Sequence, residues 1–364
     1  MSLPAPPPRT PRARHAARSG QRWSGLGRWR AALHWALAGL LAALVTLSLL
    51  AGSTDIGWRD VVAALAGPGG GAQADGAPAM AAAIVRDLRL PRVLLALAVG
   101  ATLAMVGSLL QTTTRNDLAD PFLFGLSSGA SAGAVAVITL AGTALGTWTL
   151  PLATFAGALV AAAAVLLIVR GGEGQGAARI VLAGVSVSFL FGAFTHALIF
   201  AGDQRAAHSV VFWSLGGLGL ARWDNLWLAL AGLLVPALFV ARRHRALDAL
   251  LAGDDTAHSL GVDPRRLRTQ TFVVAAFATA CCVALTGLIG FVGLMVPHLA
   301  RRWTGPLHGA STAAAAVIGA VLLLGSDLAA RTLLGAQELP VGIVTSGLGA
   351  CFVIALLRRG DGGA

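Results

Sequence analysis

The chain has 364 residues, 56% of them hydrophobic and 12% charged, with a formal net charge of +11 and a mean hydropathy of +0.75. Such a composition excludes a soluble domain and implies an all-α polytopic membrane protein, built from apolar runs near the length that crosses about 30 Å of hydrocarbon. All 27 basic residues are arginine; this excludes ATP binding through a P-loop lysine, and their position beside apolar runs instead of on one basic face argues against nucleic acid as a partner.

Residues 1–30, rich in Arg, Pro, Ser and Gly, read as a disordered cytoplasmic arm carrying arginines. The run ALHWALAGLLAALVTLSLLAG at 32–52 is too long for a signal-peptide core and reads as a retained first helix. Apolar spans are predicted near 31–51, 93–111, 122–141, 149–169, 179–201, 225–241, 270–288, 311–331 and 340–358, with GFVGLMVPHLA at 290–300 as a short tenth. Ten spans, unlike nine, keep both arginine-rich termini in the cytoplasm. They also put 20 arginines in cytoplasmic segments against seven outside, in keeping with the positive-inside rule. RDLRLPR at 86–92 then lies outside, against that bias, and such charge asks for a partner.

Small residues recur at four-residue spacing in Ala96, Gly100, Ala104 and Ser108; in Gly125, Gly129 and Gly133; in Gly184, Ser188 and Gly192; and in Gly342, Ser346 and Ala350. In lipid such stripes let helix backbones approach closely, so a tight bundle is expected. Cys281, Cys282 and Cys351 lie in apolar runs without a CxxC pair and read as small hydrophobes, and no metal set is expected.

The longest cytoplasmic connection is RRHRALDALLAGDDTAHSLGVDPRRLRTQ at 242–270. RALDALLA is predicted to form a short amphipathic helix with Leu247, Leu250 and Leu251 on one side. Gly253 breaks it, Asp254 or Asp255 caps a second short helix, DTAHSL, and Gly261 ends that one. Two short helices make a platform for a cytoplasmic partner, the plainer reading being a loop resting on lipid phosphates.

RLPR with Gly100, GSLLQTTTRNDLADPFLFGLSSGA (107–130), LLAGDDTAHSLGV (250–262), GLIGFVGLMVPHLAR (287–301) and ELPVGIVTSGLGA (338–350) stand in the order that the FecCD-type permeases show, and the chain resembles that family over about residues 30–359. Asp117 stands where the family usually has proline. The resemblance implies a type II ABC importer permease fold of about ten helices over 31–359, with cytoplasmic coupling helices at 246–263 and a tail at 360–364. It implies a bacterial inner-membrane importer subunit for an iron–siderophore, haem or cobalamin complex, working by alternating access. The partners implied are a second permease, identical or sister, two ATP-binding subunits, an extracytoplasmic binding protein and membrane lipid. The chain itself would be no enzyme, with no catalytic residue and no covalently bound cofactor, ATP being used by the partner subunits. Arg89, Arg92 and Arg331 would dock the binding protein, although Asp327, four residues before Arg331, offers that arginine an internal pair. Leu251, Gly253, Asp254, Asp255, Leu260 and Gly261 would meet the ATPase. The pathway would run along the fifth, eighth and tenth spans, with Ser186, Ser188, Thr345 and Ser346 on it, and HSVVFWSLGGL (208–218) would be a short external helix.

Two rival readings carry specific residues. GLSSG at 125–129 fits GxSxG, which would make Ser127 the nucleophile of an intramembrane protease with His196 or His298. An ion-coupled secondary transporter would need an ionisable group within the spans, and Asp327 is its candidate.

Overall fold

The computed structural model describes residues 35–52, 54, 56–66, 77–141, 146–170, 177–334 and 337–360. The arm at 1–30 and the tail beyond residue 360 lie outside them. No strand occurs among the described residues. Their helices are α1 (Trp35–Leu50), α2 (Trp58–Leu65), α3 (Ala77–Ala83), α4 (Leu90–Thr114), α5 (Leu126–Ala136), α6 (Thr149–Arg170), α7 (Ala177–Ala201), α8 (Gln204–Ser214), α9 (Leu226–Leu251), α10 (Asp254–Ser259), α11 (Pro264–Thr286), α12 (Val292–Thr304), α13 (His308–Thr332) and α14 (Val341–Gly360). Seven helical stretches are long and apolar enough to cross a membrane, and α1 and Leu126–Leu140 are shorter apolar helices.

RDLRLPR is itself helical. A π-turn at Ile84–Arg89 runs directly into α4, so the helical stretch spans Ala79–Thr114. Pro91 near the start of α4 has no N–H to give the preceding turn, which accounts for a widened turn at this point.

α4 is the centre of the bundle: its most apolar window is 89% buried, against 22% for α7 and α14. It packs against α13, α9, α12 and α11, while α5, α6 and α7 form a second group. The small residues make this possible. A methyl at Gly100 would run into the Gly319 carbonyl, one at Gly107 into the Gly293 backbone, one at Gly133 into the Ala153 carbonyl and one at Gly342 into the Leu215 carbonyl. Gly192 is the exception, with open space around it.

RALDALLA is not a separate helix. It continues α9 without a break to Leu251, because nothing between Arg242 and Ala252 interrupts helical geometry. Gly253 then takes a φ of 127° that a side chain would resist, and Gly253, not either aspartate, is the N-cap of α10. Gly261, at φ 75°, turns the chain back toward α11, which Asp263 caps by accepting from the Arg265 and Arg266 amides.

Candidate functional site

The C-terminal end of α4 gathers the polar groups of one side. Arg115 ends the helix in the left-handed region (φ 50°) and opens a turn through residues 116–120. Its Nη2 donates to Asp254 Oδ1 at 2.7 Å. Arg268, buried at the start of α11, donates from Nη2 and Nη1 to Asp254 Oδ1 and Oδ2 at 2.7 and 2.9 Å, and from Nε to the Thr113 carbonyl at 3.0 Å. The fork from Arg268 holds the Asp254 carboxyl below the usual carboxylate range. Around it Leu251, Asp255 and Leu260 are exposed, so the hairpin of α9 and α10 offers them outward while Asp254 is engaged inward.

A second set fixes the other side of the turn. Gln111 donates to the carbonyls of Gly293 and Leu294 at 3.2 and 3.1 Å, and its Oε1 accepts from Arg301 Nη2 at 2.6 Å. Arg301 Nη2 also reaches Asp117 Oδ1 at 3.0 Å. Asp117 thus adds an ion pair to the turn. Nearby, Asp248 Oδ1 accepts from the His308 amide at 2.8 Å and sits 2.7 Å from His308 Nδ1, while His308 Nε2 lies 2.7 Å from Thr112 Oγ1. This buried chain joins α9, α13 and α4. Gln111 and Arg115 lie within the 107–130 motif without being singled out in it; for Arg268 the available signal is its place in RRLR at the entry to an apolar span, and His308 carries none.

Asp120 follows that turn. Its Oδ1 accepts from the Phe122 amide at 2.9 Å, whereas Oδ2 is buried with no partner among the described residues, and burial pushes the carboxyl up to about 6. It lines a largely apolar cavity of about 620 Å³ together with Leu118, Phe291, Leu294, Ile343 and Ser346. Phe291 enters α12 at φ 67°, unusual for a bulky residue, and fits against Gly349, where no side chain intervenes. Of the four pathway residues expected from the sequence, Ser346 reaches this cavity. Thr345 does not: it is fully buried, its hydroxyl turned to the Gly342 carbonyl at 3.2 Å. Ser186 and Ser188 bond back to the Leu182 and Gly184 carbonyls of their own helix, and Ser186 lies on the open face of α7, outside the cavity wall.

The opposite end of α4 holds the arginines of RLPR. Arg115 and Arg92 are 23 residues apart on one continuous helix, about 35 Å at 1.5 Å per residue. Arg89 is buried and donates to the Leu49, Leu50 and Thr54 carbonyls, each at 2.7 Å. Arg331 is buried as well, donating to Asp327 at 3.0 Å and to the Ala51 carbonyl at 3.1 Å. Arg92 reaches Asp327 through Nη2 at 2.9 Å and Glu338 through Nη1 at 2.8 Å. Of the three arginines expected to dock a binding protein, Arg89 and Arg331 are thus turned into the bundle. Their charge caps the orphan carbonyls at the end of α1, a helix C-terminus that favours cations. The internal pair foreseen between Asp327 and Arg331 is present, and Arg92 alone of the three remains partly exposed, beside the exposed Glu338.

The rival sites gain no geometry. Asp327 is wholly buried and paired with two arginines, which leaves it no open position for a coupling ion. Ser127 lies in α5, and neither His196 nor His298 is hydrogen-bonded to it; His298 packs its ring on Phe352. No group of three potential metal ligands occurs among the described residues.

The model of the FecCD transport family matches residues 40–359. The cobalamin import system permease of Halobacterium salinarum is 40% identical over 78% of this chain and 75% of its own length, and the hemin transport system permease of Yersinia pestis 37% identical over 75% and 82%. A solved chain described as a metal-chelate type ABC transporter in an inward-facing conformation superposes with a TM-score of 0.78 at 27% identity, covering 90% of this chain and 99% of that one. Relatives of this kind are permeases that leave ATP hydrolysis to separate subunits, in accord with a chain that has no lysine for a P-loop. The chain belongs to the FecCD transport family, as a multi-pass permease subunit of an ABC transporter without an ATP site of its own.

Proposed function

We propose that the chain forms, with a second permease subunit, the membrane pathway of an importer for a metal complex of the iron–siderophore, haem or cobalamin kind, operating by alternating access. α1, α4, α5, α6, α7, α9, α11, α12, α13 and α14 are read as its ten spans, with both termini in the cytoplasm. The observation that carries this reading is the polarity of α4: the hairpin of α9 and α10 joins one end, the RLPR arginines lie at the other, and the turn that follows α4 walls the cavity. Leu251, Asp255 and Leu260 are proposed as the ATPase contact, with Gly253 and Gly261 giving the hairpin its turns and Asp254 holding it from within. Arg92 and Glu338 are proposed to meet the binding protein, and Arg89 and Arg331 to fix the surface on which it rests. The open faces of α7 and α14, where Ser186 lies, are proposed to close around the pathway in the dimer. An apolar cavity with one carboxylate suits passage of a bulky complex, because a strongly adhesive lining would slow its release.

Single cysteines at Leu88 and Asp255, both exposed, test the sidedness. An impermeant maleimide should label the first from outside sealed cells and the second only after permeabilisation. Labelling of both from one side would end the importer reading. With ATPase subunits and binding protein reconstituted, ATP-dependent uptake of a ferric hydroxamate, haem or cobalamin should identify the cargo.

A further inference from the structure

Asp254 begins α10 yet commits its carboxylate to α4 and α11. One oxygen serves both Arg115 and Arg268, the other Arg268 again, and Arg268 is anchored to the Thr113 carbonyl. Arg115 is the first residue of the turn that carries Leu118 and Asp120 into the cavity wall. The hairpin and that wall therefore share one carboxylate. On its far side the same turn is tied through Asp117 and Gln111 to Arg301 of α12, whose N-terminal residues Phe291 and Leu294 line the cavity too.

We infer that Asp254 is a positioning residue that transmits displacement of α10 to the 115–120 turn, so that the wall at Leu118 and Asp120 shifts when the hairpin is moved. The physical ground is stiffness. A two-bond fork from a buried, anchored guanidinium fixes both distance and plane, whereas a single contact between exposed charges would pivot. The anchor of Arg268 on the Thr113 carbonyl brings that fixed carboxylate to the end of α4, two residues before the turn, and the pair with Arg115 adds a second tie to the turn's first residue. This inference rests on α10 being the surface that the ATPase moves.

The test uses the complete complex with its ATPase subunits in nanodiscs, with exposed Cys351 replaced by alanine and an environment-sensitive fluorophore on Leu118→Cys or on Leu260→Cys. A non-hydrolysable ATP analogue should change the emission of both probes in the parent protein. In Asp254→Asn the Leu260 probe should respond as before, and the Leu118 response should fall about tenfold. Asp254→Glu, which keeps the charge, should recover part of it, as a purely structural loss would not. An unchanged Leu118 response in Asp254→Asn would overturn the inference while leaving the α10 reading intact. A parent Leu260 probe blind to the nucleotide would instead remove the α10 reading, and the inference with it. Should Asp254→Asn not assemble, Arg115→Gln leaves the Arg268 fork in place and must lower the Leu118 response alone; no change there overturns the inference equally.

Discussion

The two ends of α4 use the same chemistry for different ends. At the RLPR end Arg92, Arg331 and Asp327 form a knot in which the carboxylate is wholly buried. At the other end Arg115, Arg268 and Asp254 form a fork whose carboxylate is 40% exposed. A charge removed from a wholly buried set leaves its partners uncompensated in a medium of low dielectric; at the other end water reaches the carboxylate and Arg115, and Arg268 alone would be left buried. The first arrangement secures the fold, and the second ties a surface hairpin to the end of the bundle with a fixed geometry at a smaller cost in stability.

The sharpest way to break this contrast is Asp327→Ala. It strands two guanidinium groups, and the expected loss is about 3–5 kcal/mol, read as a lower denaturation midpoint of the detergent-solubilised protein. Replacing Asp327, Arg92 and Arg331 together by apolar residues should recover much of that loss; a triple variant no better than the single one would mean that the α1 carbonyls, not the ion pairs, dominate the knot. Arg89→Met should release the end of α1 and cost about 2–4 kcal/mol, since several carbonyls lose a charged donor at once; an unaltered midpoint would dismiss the capping role.

Asp120 is the intermediate case, a buried carboxylate with no cation on it. Its folded pKa, about 6, stands above the 3.8 of the free group, so the folded protein binds the proton more tightly than the unfolded chain does. Stability should then fall as pH rises from about 4 to about 6 and level off above. Asp120→Asn should abolish that slope and gain on the order of 2 kcal/mol at neutral pH, which pH-dependent thermal unfolding would measure.

The smallest stability effect belongs to Asp254→Asn. Its folded pKa lies below 3.8, so its contribution is present at neutral pH and is lost only as pH falls through the depressed value. Water reaches the carboxylate and Arg115 but not Arg268, so that contribution is about 1 kcal/mol, below that of the wholly buried knot. The midpoint should barely move while ATP-dependent transport drops; a large shift in midpoint would put this end in the same class as the buried knot.

Most of the framework was legible from residue order. Most apolar spans fell within a few residues of the helices, because helical rise ties span length to hydrocarbon thickness; α9 and the stretch leading into α4 run on beyond their apolar windows. Gly100 lay on its stripe for a reason visible in the bundle, where the Gly319 backbone touches it; Gly107, outside the stripes, meets the Gly293 backbone in the same way. RALDALLA misled because a break was assumed where local propensity favours continuation into α9. The candidate site was read less fully: Ser346 lines the cavity and Thr345 beside it does not, a distinction set by the rotation of α14 against its neighbours.

By itself the sequence determined that the chain spans a membrane many times, where its apolar runs lie, and that it cannot hold ATP through a P-loop. Only the tertiary structure decided what its charges do. Arg92 and Asp327 are 235 positions apart, and Asp254 looked like a helix cap until α4 and α11 were brought beside it. Periodicity records the face of a helix and the length of its run, both local properties. The partner of a buried charge depends on which helices pack together, and that is decided by the close fit of backbones across the whole bundle.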